Sequence, residues 1–172
     1  ISDCSNILNV LDKIKEPISV IEFWGGEPLA YIKYIKILVD LIRSDKKYVN
    51  TEFAIITNGY LLNDNIVDFL IRHQFRIQIS YDGYTQNQRS NFDYFELKIP
   101  YIKRLLNDPI LKEKRCINFA TVLTSKQDLI KAQSYFQKHF KQKVNLQPIP
   151  LLFMNNKLIS QRLDDIKQRN IF

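Results

Sequence analysis

The sequence predicts an α/β fold with a parallel sheet, and three observations carry that expectation. Short β-rich runs alternate with amphipathic helical stretches through five strands along the 172 residues. The runs give way to turns rich in Gly, Asn, Ser or Thr, and the Asn58-Gly59 pair leads into a helical pattern rather than a second strand, so it does not mark a hairpin. Alternation of this kind implies parallel pairing through right-handed crossovers, in either an open doubly wound sheet or a partial barrel. With 45% apolar residues the chain can bury one sizeable core.

Taken in order, residues 5–15 read as a helix, and Ile18 to Trp24 as a strand bounded by Pro17 and Gly25-Gly26. Pro28 falls where the first turn of a helix tolerates proline, and Ile32, Ile35, Leu38, Val39 and Ile42 follow at helical spacing up to Arg43-Ser44. Glu52 to Thr57 is the second strand. Asn63 or Asp64 then caps a helix running from Ile66 to His73. Phe75 to Tyr81 is the third strand, followed by a polar connection and a helix from about Phe95 to Leu106. Ile117 to Leu123 leads through Thr124-Ser125 to a helix carrying Leu129, Ala132, Phe136 and Phe140, and Val144 to Ile149 is the fifth strand. No fixed sequence period or low-complexity linker marks a domain boundary.

Bulk properties narrow the function classes. No stretch approaches the roughly 18 apolar residues of a membrane span. The net charge of +7 would suit an anionic partner. Its lysines, however, are spread over helical stretches such as Lys33-Tyr34-Ile35-Lys36 and Lys131 to Lys143, where solvated faces account for them, and nucleic acid is not expected. Cys4 and Cys116 lack metal-ligand or disulfide spacing. The chain shows no charged leader or cleavage site, so a cytoplasmic location is expected.

Ligands of β/α folds sit where strands run out into the following loops. Gly25-Gly26 removes two Cβ atoms at such a point, and Glu27 adds a full negative charge suited to an ammonium group. A plain Gly-Gly turn with Glu27-Pro28 starting a helix is the competing account, although Glu is a poor N-cap. Thr57 and Asn58 bring polar atoms to the next strand end, where Asn58-Gly59 also reads as an ordinary left-handed turn. Along the third strand Phe75, Ile77, Ile79 and Tyr81 alternate with Arg76, Gln78, Ser80 and Asp82, so the polar face implies a wet lumen or an edge strand. His73 and His139 read as helix-end or surface residues, and no nucleophile–base constellation is visible.

The ordered set Phe23-Trp24-Gly25-Gly26-Glu27-Pro28-Leu29, Thr57-Asn58-Gly59 and Ser80-Tyr81-Asp82-Gly83 resembles the radical S-adenosylmethionine superfamily, particularly its sulfatase-maturating and peptide-modifying branch. The resemblance implies a partial parallel (β/α) barrel over residues 1–150, about five of the family's six strands, with residues 151–172 leading out of it. Ile18 to Trp24 would be the second strand. It further implies that Gly25, Gly26 and Glu27 contact the ammonium of S-adenosylmethionine. Ser80 would be placed for the carboxylate, Asp82 for the ribose or for ordering its loop, and Thr57 and Asn58 would belong to the same cofactor-binding set. Arg89 matches an arginine that follows the family's fourth strand.

In that family a Cys-x3-Cys-x2-Cys loop holds a 4Fe-4S cluster. The loop is absent from this sequence, so the cluster ligands are expected upstream, this segment alone is expected to be inactive, and no catalytic acid or base or metal ligand is assigned in it. Ile1-Ser2-Asp3 resembles the N-cap just after such a loop. A peptide or protein substrate and a reductant such as flavodoxin or ferredoxin are implied in the same way. The alternatives are a cluster-less barrel serving as a binding or scaffold protein and an ordinary β/α-barrel enzyme whose glycines cradle a phosphate.

Overall fold

A computed structural model describes residues 2–81, 95–121, 126–141 and 146–148. These fall into two compact units, one within Ile1–Ile79 and Tyr94–Ile117, the other within Ser80–Asp93 and Asn118–Phe172.

In the first unit α1 (Ser2–Lys13) precedes β1 (Val20–Phe23). A 3-10 turn, Pro28–Tyr31, opens directly into α2 (Ile32–Ser44), and β2 (Glu52–Thr57), α3 (Asp64–Arg72) and β3 (Arg76–Ser80) follow. β1 pairs parallel with β2, Phe23 opposite Ile55, and β2 pairs parallel with β3, Thr57 opposite Ile79. On its other side β3 donates the Ile77 N–H to the Cys116 carbonyl at 2.7 Å. β3 is therefore an interior strand. Of the two accounts of its polar face, the edge strand is thereby removed, and half-buried Gln78 is left on the open side of the sheet.

The other side of these strands packs against the helices. Phe53, Phe69 and Phe75 are buried, and Phe53–Phe75 and Phe69–Phe75 ring centroids both lie 5.5 Å apart. Ile35, Leu38, Val39 and Ile42 of α2 and Ile66, Val67, Phe69 and Leu70 of α3 are buried at the spacing that the sequence shows. Asn63 is the cap of α3: its Oδ1 accepts from the Ile66 N–H at 3.1 Å. α4 (Phe95–Asn107) runs through Pro100 and is held to α3 by Arg104, whose guanidinium forks onto Asp64 at 2.6 Å and Asp68 at 2.5 Å. A short helix, α5 (Pro109–Glu113), is absent from the sequence reading; Asp108 caps it by accepting from the Ile110 and Leu111 N–H groups.

In the second unit β4 (Ile117–Thr121), which begins in the first, is joined by the Tyr81 N–H donating to the Ala120 carbonyl. It pairs parallel with β5 (Leu146–Pro148), Phe119 opposite Leu146. α6 (Lys126–Phe140) buries Ala132, Phe136 and Phe140, and Phe119 meets Phe136 at 4.6 Å. The five predicted strands are all present. β1 is shorter than Ile18 to Trp24, because Gly25 leaves extended geometry at once and only the Ser19 carbonyl, accepting from Glu52, extends the pairing backward.

Candidate functional site

The strand-end loops of the first unit converge on one carboxylate. Glu27 lies just after β1 and is the N-cap of the Pro28–Tyr31 turn, its Oε1 accepting from the Leu29 N–H at 3.0 Å. The expectation that Glu would do little as a cap is corrected. Pro28 has no N–H to satisfy, so the first free donor of the turn is Leu29, and the longer Glu side chain reaches it.

The same Oε1 accepts from the Thr57 hydroxyl at 2.6 Å, and Oε2 accepts from the Asn58 N–H at 2.8 Å. Thr57 Oγ1 in turn accepts from the Gly59 N–H at 3.0 Å, while Asn58 Oδ1 accepts from the Tyr60 N–H at 2.8 Å. Four hydrogen bonds at β2's exit, two within the turn and two to Glu27, thus lock the turn after Asn58 and tie it to the exit of β1 across 30 residues of chain. Thr57 is 2% exposed.

Gly25 and Gly26 have φ of +96° and +55°, a region that residues with a Cβ rarely adopt, and space beside each is open for 4 Å along the direction a Cβ would take. Both are exposed, as is Trp24 at 75%. The candidate set omits this tryptophan. Its signal was available, since it is the sole Trp of the chain and stands at a strand end beside two glycines.

The structure brings Gly25, Gly26, Glu27, Thr57 and Asn58 together. Ser80, half-buried, ends β3. Asp82, Arg89 and the Thr124-Ser125 turn lie outside the described residues, as does the segment 151–172. Cys116 is buried and unpaired, and burial raises its thiol pKa. His73 caps α3, lies tilted against Phe69 with ring centroids 4.7 Å apart, and has its pKa lowered chiefly by burial. Among the described residues no group of three or more His, Cys, Asp or Glu could hold a metal ion, and no helix is long and apolar enough to cross a membrane.

Parallel strands with helical crossovers, and polar groups gathered where the strands end, define a β/α protein of the kind that binds its ligand at the C-terminal face of the sheet. The chain belongs to the radical SAM superfamily, whose family description matches residues 2–115. An uncharacterized protein of Methanocaldococcus jannaschii is 30% identical over 129 residues, covering 70% of this chain and 40% of that protein. The radical SAM cyclopropyl synthase TigE of Paramaledivibacter caminithermalis is 28% identical over 127 residues, covering 69% of this chain and 26% of that protein.

Among solved structures, native anSMEcpe with bound AdoMet and the Kp18Cys peptide is 25% identical with a TM-score of 0.64, over 95% of this chain and 50% of that one. Streptococcus suis SuiB bound to S-adenosylmethionine is 15% identical with a TM-score of 0.54, over 87% of this chain and 35% of that one, a likeness of fold alone. The chain is accordingly a partial parallel β/α barrel, the core of a radical SAM protein, and it spans half or less of the length of these relatives.

Proposed function

We propose that this chain is the cofactor-binding part of a radical SAM enzyme that acts on a peptide or protein. The observation that carries the reading is the Glu27 carboxylate, held by three hydrogen bonds beside two glycines that open onto free space.

The residues fit S-adenosylmethionine. An ionised carboxylate offers about four acceptor positions, and three are used here, so one remains for an ammonium. The absence of Cβ atoms at Gly25 and Gly26 leaves their backbone open to the methionine end of the cofactor. A negative charge at this point disfavours the phosphate-cradle alternative. By the family resemblance Ser80, at the end of β3, is the residue for the carboxylate and Asp82 the one for the ribose or for ordering its loop, and Thr57 and Asn58 belong to the same set.

When bound with a reduced 4Fe-4S cluster, S-adenosylmethionine supplies reductive cleavage and hydrogen abstraction; the protein's part is to bind, orient and exclude competing reactions. Glu27 holds the ammonium in one place. The loop glycines let the backbone close on the ligand, and the hydrogen bonds from Leu29, Thr57 and Asn58 hold the Glu27 carboxylate in place.

A peptide substrate is supported by the relative at 25% identity that was solved with one bound. The net charge of +7 suits an acidic electron donor such as flavodoxin or ferredoxin.

The test is anaerobic reconstitution of the full-length gene product with iron and sulfide, followed by reduction in the presence of S-adenosylmethionine. Charge-transfer absorption of a 4Fe-4S cluster and release of 5′-deoxyadenosine are expected. A protein that takes up no cluster and releases no deoxyadenosine overturns the proposal in favour of a cluster-less binding protein.

A further inference from the structure

We infer that Thr57 is a positioning residue that acts on the cofactor ammonium through Glu27, and that Glu27 Oε2 is the atom that receives the ammonium. This rests on the assignment of Glu27 to the ammonium under the proposed function, and it separates the roles of residues that the motif alone groups as one cofactor-binding set.

A threonine hydroxyl has one proton to donate. That of Thr57 goes to Glu27 Oε1 at 2.6 Å, the short distance of a hydroxyl donating to a charged oxygen. One of its lone pairs is taken by the Gly59 N–H at 3.0 Å. With the residue 2% exposed, the hydroxyl has no proton left and little surface to offer a ligand. Its neighbours make it a strut between two loops.

On the carboxylate the two oxygens differ. Oε1 accepts twice, from the Leu29 N–H and the Thr57 hydroxyl, which fills its two lone-pair directions. Oε2 accepts once, from the Asn58 N–H at 2.8 Å, and keeps one direction open. An ammonium arriving from the glycine side thus has one vacant acceptor on this residue.

The strut also answers a problem of entropy. A glutamate has three rotatable side-chain bonds, and an acceptor that must meet a cation in one geometry gains from having them fixed beforehand. Leu29 and Asn58 restrain the carboxylate by backbone N–H groups that no side-chain replacement removes. Thr57 is the one side chain in the restraint, and so the one that substitution can test.

The experiment uses the full-length, cluster-reconstituted protein and calorimetric titration with two probes, S-adenosylmethionine and its analogue lacking the α-amino group. Thr57→Val keeps shape and removes the proton, and should weaken S-adenosylmethionine about tenfold while changing the desamino analogue by less than about twofold. Thr57→Ser should restore wild-type binding of both. If the valine variant is insoluble, Thr57→Ala is read in the same way.

Equal weakening of both probes would mean a general structural role or a direct contact elsewhere on the cofactor, and an unchanged S-adenosylmethionine affinity would mean no positioning; either overturns the inference. Glu27→Gln separates the two levels. If it leaves the preference for the amino-bearing probe intact, the ammonium assignment itself fails. If it abolishes that preference while Thr57→Val does not diminish it, only the role of Thr57 fails.

Discussion

The two ends of the first unit's sheet are closed in different ways. At the C-terminal ends of β1 and β2 the loops hold each other: Glu27 reaches Thr57 and Asn58 across 30 and 31 residues. At the N-terminal ends of β3 and β4 each loop is closed by its own backbone, with one side-chain link between the two, Lys114 Nζ donating to Gln74 Oε1 at 2.7 Å. Before β1 and β2 the Thr51 hydroxyl donates to the Ile18 carbonyl at 2.8 Å. After α3 the Gln74 N–H donates to the Ile71 carbonyl and the Phe75 N–H to Leu70; after α5 the Arg115 N–H donates to Lys112 and the Cys116 N–H to Leu111. Both are the same helix-terminating motif with one residue in the left-handed region, Gln74 and Arg115 each at φ of +52°.

The two ends draw their stability from different sources. The backbone closures before β3 and β4 are local and tolerate ordinary residues at a conformational cost, so they serve chain reversal. The C-terminal closures are non-local, open to solvent at the glycines, and centred on a charge. Substitution at the N-terminal end is expected to change stability alone, and at the C-terminal end stability and binding together.

The largest expected effect is at the charged end. Glu27→Ala removes the acceptor of three donors, one of them the buried Thr57 hydroxyl, and should cost about 2 kcal/mol of stability in denaturant titration, together with loss of cofactor binding. A stability loss without a binding loss would reduce this end to the same purely structural status as the other. Gly25→Ala comes next. At φ of +96° a Cβ is strained although nothing occupies its place, so a loss of about 1–2 kcal/mol is expected from backbone conformation.

At the local end the sign reverses. Arg115→Gly relieves the left-handed residue after α5 and should raise stability by about 0.5–1 kcal/mol in the same titration, with unchanged affinity for S-adenosylmethionine. A drop in affinity would show that the two ends are coupled. The smallest effect concerns His73, the cap of α3. Burial lowers its pKa below the ordinary 6.5, with Arg43 and Arg72 acting in the same direction and Asp40 against them. Since the unfolded chain then binds the proton first, stability should be full above pH 6.5 and decline as pH falls below it. His73→Gln should flatten that part of the profile, and an unaltered profile would assign the acid sensitivity to carboxylates elsewhere.

Much of this was legible in the chain. The Asn63 cap, the apolar spacing of α2 and α3, and the bounds Glu52 to Thr57 of β2 follow from local propensity and periodicity, which act within a few residues. α5 was hidden because five residues carry too little period to distinguish them from a polar connection, although Asp108-Pro109 is a cap followed by a first-turn proline. The capping role of Glu27 was hidden for a different reason: a rule ranking residues for average caps does not contain the Pro28 that removes the nearer donor.

The α/β class, the succession of the strands and the identity of the motif residues could be read from the chain alone, because hydrophobic period and turn chemistry are local properties. That Thr57 faces Glu27, that one oxygen of that carboxylate is saturated and the other is not, and that β3 is interior came from the fold. Those facts depend on which donors the parallel register brings within 3 Å of one another across some 30 residues, a distance over which no sequence pattern constrains an individual atom.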